Sequence, residues 1–135
     1  IKDLFYKEVL VRQTGAVAVH EVLSNKQSVP IRTAMLEFLQ YIGNATLIGH
    51  HVAFDVAMVN KALNGLYKAK LFNPTIDTAV EAIKKDHLGR IPEFYRRDKY
   101  TLDSLCNRYS IEIKDRHHAL GDSFLTAQLW LELKK

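Results

Sequence analysis

The chain has 135 residues, is 47% hydrophobic and 25% charged, and carries 19 Lys and Arg against 15 Asp and Glu for a net charge of +4. That apolar content excludes intrinsic disorder and fits one globular domain over 1–135, while the mild positive balance favours a polyanionic partner. A single cysteine, Cys106, excludes an intrachain disulfide and a thiolate-built zinc site and suits a reducing, cytoplasmic setting. No run nears the ~20 apolar residues of a membrane helix, so no membrane association is expected.

Leu4 to Val11, with Phe5, Tyr6, Val9 and Leu10, has the aromatic and β-branched content of a strand. Residue 1 is Ile rather than Met and the chain runs straight into this pattern, so it reads as cut from something longer. Ser28-Val29-Pro30 offers an N-cap and a proline for a first helical turn. Ala34, Met35, Phe38, Leu39 and Ile42 then recur at helical spacing up to a stop at Gly43-Asn44. Ala45 to Gly49 is a short apolar run between turn residues, the pattern of a strand buried on both faces. Phe54, Met58, Val59, Ala62 and Leu63 form the next helical stripe, stopped near Gly65, which puts Asp55 in the first turn of a helix directly after a strand.

Asn73-Pro74 marks a turn, Thr75 to Thr78 a short strand, and Ala79, Ala82 and Ile83 another helix. Asp86 to Lys99, charged and holding Gly89 and Pro92, reads as an exposed, mobile loop. Thr101 caps a short helix with Leu102, Leu105, Cys106 and Tyr109 on one face; Ala119 to Leu133 forms the last helix, with Leu120, Phe124, Ala127 and Leu131 inward. Strands alternating with helices imply an α/β layered fold whose ligands sit beyond the carboxyl ends of the strands.

Two constellations carry chemistry. In Leu47-Ile48-Gly49-His50-His51-Val52-Ala53-Phe54-Asp55, the carboxylate opens a helix just past a buried strand, placed to face a metal, while Phe54 anchors the turn in the core. In Arg116-His117-His118-Ala119-Leu120-Gly121-Asp122, a histidine five residues before an aspartate lets an imidazole reach over a carboxylate-bound metal and take a proton from its water. Taken alone, either aspartate also serves as an ordinary helix-start acid, a use worth about 0.3–1 kcal/mol. The pairs His50-His51 and His117-His118 raise a structural zinc site, though neighbours in an extended segment face opposite ways and each pair would give one ligand. Lys84, Lys85, Arg90, Arg96, Arg97 and Lys99, with Tyr95 and Tyr100 among them, suit phosphate contacts or simply a solvated loop.

Taken together, Gly49 to Asp55 and His117 to Asp122, separated by Tyr100-Thr101-Leu102-Asp103-Ser104-Leu105, resemble the DnaQ-like 3′→5′ exonucleases of the DEDDh type. The likeness covers most of the chain: Val19-His20-Glu21-Val22-Leu23 resembles the family's pre-helix segment and Thr75-Ile76-Asp77-Thr78 its "vlDT" strand end. It implies a ribonuclease H-like fold, a mixed sheet flanked by helices, and removal of nucleotides from 3′ ends in the manner of DNA polymerase III epsilon. By the resemblance His117 is the general base, while Asp55 and Asp122 are catalytic carboxylates that hold two divalent cations, Mg2+ or Mn2+. His50, His51 and Phe54 then lie on the substrate side. The implied partners are nucleic acid with a free 3′ end and a DNA polymerase subunit.

Two departures stand out. His51 occupies the place of the family's usual asparagine, and no Asp-x-Glu, the family's first motif, occurs anywhere in the 135 residues. The resemblance therefore describes an N-terminally truncated domain, partial and lacking its first strands, whose parent is an exonuclease while the isolated segment is expected to be inactive. The rival readings are a degenerate, non-catalytic fold that binds nucleic acid or a polymerase subunit, and an exonuclease that trims RNA.

Overall fold

The computed structural model describes residues 29–114 and 116–135. The strand expected over Leu4 to Val11, the Val19 to Leu23 segment and Ser28 lie outside the described residues. Two compact units are present. One contains the described residues up to Ala45 with Val59–Leu71; the other contains Thr46–Met58 and Phe72–Lys135.

In the first unit, α1 (Ile31–Ile42) follows from the apolar spacing read above and buries Ala34 and Ile42. Pro30 itself takes the N-cap position and provides no side-chain cap, so the expected cap at Ser28 is not the one used. Gly43 ends the helix with φ at +48°, and its N–H donates to the Leu39 carbonyl at 3.1 Å. That left-handed turn is one a glycine adopts without a Cβ clash. Leu63 is buried here, Arg32 stacks over the Tyr67 ring at 5.3 Å, and Asn60 Oδ1 accepts from the Leu71 N–H at 2.7 Å.

The second unit is built on a parallel strand pair, β1 (Leu47–Gly49) and β2 (Thr75–Asp77), in the register Leu47 to Thr75, Ile48 to Ile76 and Gly49 to Asp77. The crossover contains α2 (Val52–Tyr67), the arrangement that parallel neighbours require. Two expectations need correction. Ile48 is 40% exposed, so β1 is not covered on both faces, and it spans three residues rather than five. The helix α2 runs through Gly65 to Tyr67, because an interior glycine costs about 1 kcal/mol against alanine and does not by itself stop a helix.

Thr78 belongs to the following helix, α3 (Thr78–Asp86), whose buried face is Thr78, Ala79, Ala82 and Ile83. The segment after it is exposed at Leu88, Ile91 and Phe94, then tightens into a 3-10 turn at Arg97–Tyr100. Its ends are pinned: the Tyr100 hydroxyl donates to Asp86 Oδ2 at 2.9 Å and Arg108 Nη1 donates to the same oxygen at 2.7 Å. Helix α4 (Leu102–Arg108) is capped as expected by Thr101, whose hydroxyl oxygen accepts from the Ser104 N–H at 3.2 Å.

Helix α5 (Ala119–Leu133) has the predicted bounds and a different inward face. Leu125, Thr126, Leu129 and Leu133 are buried, whereas Phe124 is exposed and Leu131 is 65% exposed. The helix is apolar almost all round, so spacing alone could not choose its face. Packing against α3 and α4 does so, joining Leu125, Leu129 and Leu133 to Ala82, Ile83, Leu105 and Cys106 in one core. Each fully buried leucine contributes about 1.5–3 kcal/mol to that core.

Candidate active site

Two helix starts in the second unit carry the residues singled out from sequence. At the end of β1 the chain must turn sharply from Gly49 into α2. A Cβ at Gly49 would lie 2.7 Å from Val52 Cγ2, so only glycine fits. The turn is completed by His51 at φ +57°, a left-handed conformation that Asn, Asp and His adopt more readily than other side chains. The exchange of the family's asparagine for His51 thus keeps a residue type that the backbone tolerates.

The turn is held by a residue whose role the sequence reading missed. Asp77, at the end of β2, accepts from the His51 N–H (3.1 Å) and the Ala79 N–H (2.9 Å) through Oδ1, and from the Val52 N–H (3.1 Å) through Oδ2. One carboxylate thereby caps α3 and fixes the entry to α2, answering N–H groups that neither helix can satisfy internally. An aspartate just ahead of a helix signals the first of these duties; nothing local signals the second.

His50 is half-buried. Its Nδ1 lies 2.9 Å from the Thr78 hydroxyl, and Nε2 is buried with no hydrogen-bond partner among the described residues. Burial, then the neighbouring His51, hold the imidazole below its usual pKa, with Asp77 and the Tyr100 carbonyl opposing, so the ring favours its neutral form. The left-handed backbone brings the His50 and His51 rings to 4.6 Å edge-on, which corrects the expectation that they face opposite ways.

Phe54 is 71% exposed and does not anchor the turn in the core; Val52, two residues earlier, is the buried residue at this helix start. Asp55 stands in the first turn of α2 as expected. Desolvation raises its carboxyl pKa above the usual value and the Asp77 charge adds to this, outweighing a main-chain hydrogen bond that lowers it.

The second helix start has the same backbone device. His117 sits at φ +63° ahead of α5, and Asp122 lies in that helix's first turn. Asp122 Oδ1 accepts from the His117 N–H at 3.3 Å and from Arg116 Nη1 at 2.6 Å. The same guanidinium donates through Nε and Nη2 to both oxygens of Asp103, in the first turn of α4. Asp103 first and Asp122 second lift the Arg116 pKa above its usual value, and Arg116 in turn holds the Asp103 carboxyl below the ordinary range. This clasp also escaped the sequence reading, since Asp103 and Arg116 are 13 residues apart with no periodicity linking them.

The carboxylates have the right chemistry for the cations that the resemblance implies, since oxygen ligands suit Mg2+ and Mn2+. The arrangement falls short. Asp122 is ion-paired to Arg116, no described contact joins it to Asp55, and among the described residues no three His, Cys, Asp or Glu side chains gather where they could hold a metal. The described residues do not make a divalent centre by themselves, nor do they form the zinc site that the histidine pairs suggested. Cys106 is buried in the core, where desolvation raises its thiol pKa. No helix among the described residues is long and apolar enough to cross a membrane.

Comparison with known proteins places these motifs. A family model described as an exonuclease matches residues 11–130. The DNA polymerase III subunit epsilon of Buchnera aphidicola (subsp. Acyrthosiphon pisum) is 36% identical over 124 residues, covering 88% of this chain and 49% of that protein. The PolC-type DNA polymerase III of Bacillus subtilis is 34% identical over 102 residues, 73% of this chain and 6% of the relative. The epsilon subunit of Aquifex aeolicus is 28% identical over 103 residues, 76% of this chain and 47% of the relative. The chain spans about half the length of the epsilon relatives it matches and a small part of the PolC-type one.

Proposed function

This chain belongs to the exonuclease family, whose domain is ribonuclease H-like, and from that premise we propose that the protein is a divalent-metal-dependent 3′→5′ exonuclease of the proofreading or trimming type, acting on DNA. The observation that carries the reading is the junction at α5, where the His117 N–H is bonded to Asp122 and the imidazole has no hydrogen-bond partner among the described residues. An imidazole so placed accepts the proton of a water attacking a phosphodiester, work that a histidine does well near neutral pH.

Asp55 and Asp122 supply two carboxylates of the metal site; the others belong to an Asp-x-Glu that the 135 residues do not contain. Two bound cations, Mg2+ or Mn2+, would polarise the phosphodiester and lower the pKa of the attacking water. On the substrate side, the exposed Phe54 ring offers a face for the terminal base, and the unsatisfied His50 Nε2, with His51 beside it, a polar contact. The partners are DNA with a free 3′ end and a DNA polymerase subunit, and the reduced, buried Cys106 accords with a cytoplasmic setting.

The test is release of the terminal nucleotide from 3′-end-labelled single-stranded DNA by the full-length protein with Mn2+. Loss of release in Asp122→Ala is the expected result, and undiminished release in that variant overturns the reading. An RNA oligonucleotide of equal length decides the substrate, with faster RNA cleavage replacing DNA by RNA. The Arg116–Asp122 ion pair favours a second reading, a non-catalytic nucleic-acid-binding module, which predicts no stabilisation of the full-length protein by Mn2+.

A further inference from the structure

Arg116 is the best-satisfied charged side chain of the site. Two of its nitrogens grip both oxygens of Asp103, a fork that only a guanidinium can form, and a third reaches Asp122 Oδ1 at 2.6 Å. Its side chain is only 20% exposed, so the contacts are weakly screened, and charge-assisted bonds of this kind are about twice as strong as neutral ones. The bonding is asymmetric. Asp103 gives Arg116 a two-point anchor, whereas Asp122 gives it one bond and keeps Oδ2 without a hydrogen bond among the described residues.

We propose that Arg116 is a resident cation of this site: anchored on Asp103, it occupies Asp122 Oδ1 in the absence of a divalent metal, holds the His117 backbone in register, and yields that oxygen when the metal arrives. Two features beyond the ion pair support this. His117 lies in a left-handed conformation whose N–H is tied to the very oxygen that Arg116 grips, so fixing Asp122 fixes His117. The Asp103 fork lets the guanidinium release Asp122 without leaving, which keeps the α4 and α5 helix starts joined in both states. Arg116 is thus a positioning residue that competes with the metal and touches no reacting atom. The inference rests on the reading that Asp122 takes a divalent cation.

The test is Mn2+ binding to the full-length protein without nucleic acid, read by the electron paramagnetic resonance of free Mn2+. Removing the competitor in Arg116→Gln is expected to tighten binding by roughly tenfold, the loss of one hydrogen bond between charged groups. The same variant is expected to have a lower kcat as His117 loses its tether. A purely structural strut predicts that affinity and kcat fall together, and unchanged or weaker Mn2+ binding by folded Arg116→Gln overturns the proposal.

Should that variant not fold, Asp103→Asn decides the matter with the opposite sign. It frees Arg116 to pair with Asp122 alone, so Mn2+ binding is expected to weaken, and unaltered binding overturns the proposal. Wild-type protein that binds no Mn2+ at all removes the functional reading and this inference with it. Binding that neither variant alters removes the inference alone.

Discussion

The two helix starts solve one problem in opposite ways. Each is entered through a histidine in a left-handed conformation, His51 ahead of α2 and His117 ahead of α5, and each places an aspartate in its first turn. At α2 the holding group is a carboxylate: Asp77 collects main-chain N–H groups and leaves Asp55 without a side-chain partner among the described residues. At α5 the holding group is a cation, and it holds the functional aspartate itself. The first site is therefore shaped while its acid stays unpaired, with the pKa raised; the second is shaped by neutralising its acid. Position in a helix says little about the charge state of a carboxylate until its holder is known.

The largest expected effect falls at α5. His117→Asn retains a residue that tolerates a left-handed backbone and removes the base, so kcat of the full-length protein should drop by about 10²–10⁴-fold with the fold intact. A fall under threefold would take the imidazole out of the chemistry. At α2 the sharpest cut is Asp77→Ala, which strips the partner from three main-chain N–H groups and should cost about 1–3 kcal/mol in urea unfolding. Unaltered stability would show that water serves those groups equally well.

Acid titration gives a smaller effect. Arg116 holds Asp103 below the usual carboxyl pKa, and at Asp86 the Arg108 and Tyr100 bonds outweigh a burial penalty that acts to raise it. A depressed folded-state pKa stabilises above the unfolded value of about 3.9 and is lost as pH falls through the folded one. The melting temperature should therefore fall below about pH 4, less steeply in Asp86→Asn. Partial exposure of both carboxylates keeps the change modest. The smallest effect belongs to His51→Asn, expected within about 0.5 kcal/mol of wild type, whereas His51→Val should cost about 1–3 kcal/mol because a β-branched residue resists a left-handed backbone.

What was legible in the sequence was local. Apolar spacing placed α1 and α5, Asn73-Pro74 and Thr101 marked real boundaries, and the segments around Asp55 and Asp122 gave the family. The misreadings arose where distant chain decides. Phe54 was assigned to the core because it sits on a helical stripe, yet the buried residue at that turn is Val52. The inward face of α5 was set by α3 and α4, not by its own evenly apolar sequence. Asp77 reaches His51 across 26 residues and Arg116 reaches Asp103 across 13, and neither span leaves a periodic trace.

The parallel register acts as a gauge. Gly49 lies opposite Asp77, so the strand pairing decides which N–H groups the carboxylate meets. A strand advances about 3.3 Å per residue, so a slip of one position would carry Asp77 a full hydrogen-bond length away from the His51 and Val52 amides and turn its side chain to the other face. Two strands of three residues thereby set where a sixteen-residue helix begins. Length changes within Lys68–Asn73, which lies outside that pairing, should shift neither Asp77 nor the point at which Asp55 enters the site, whereas a single insertion between Ile48 and Val52 should displace both the turn and its acid.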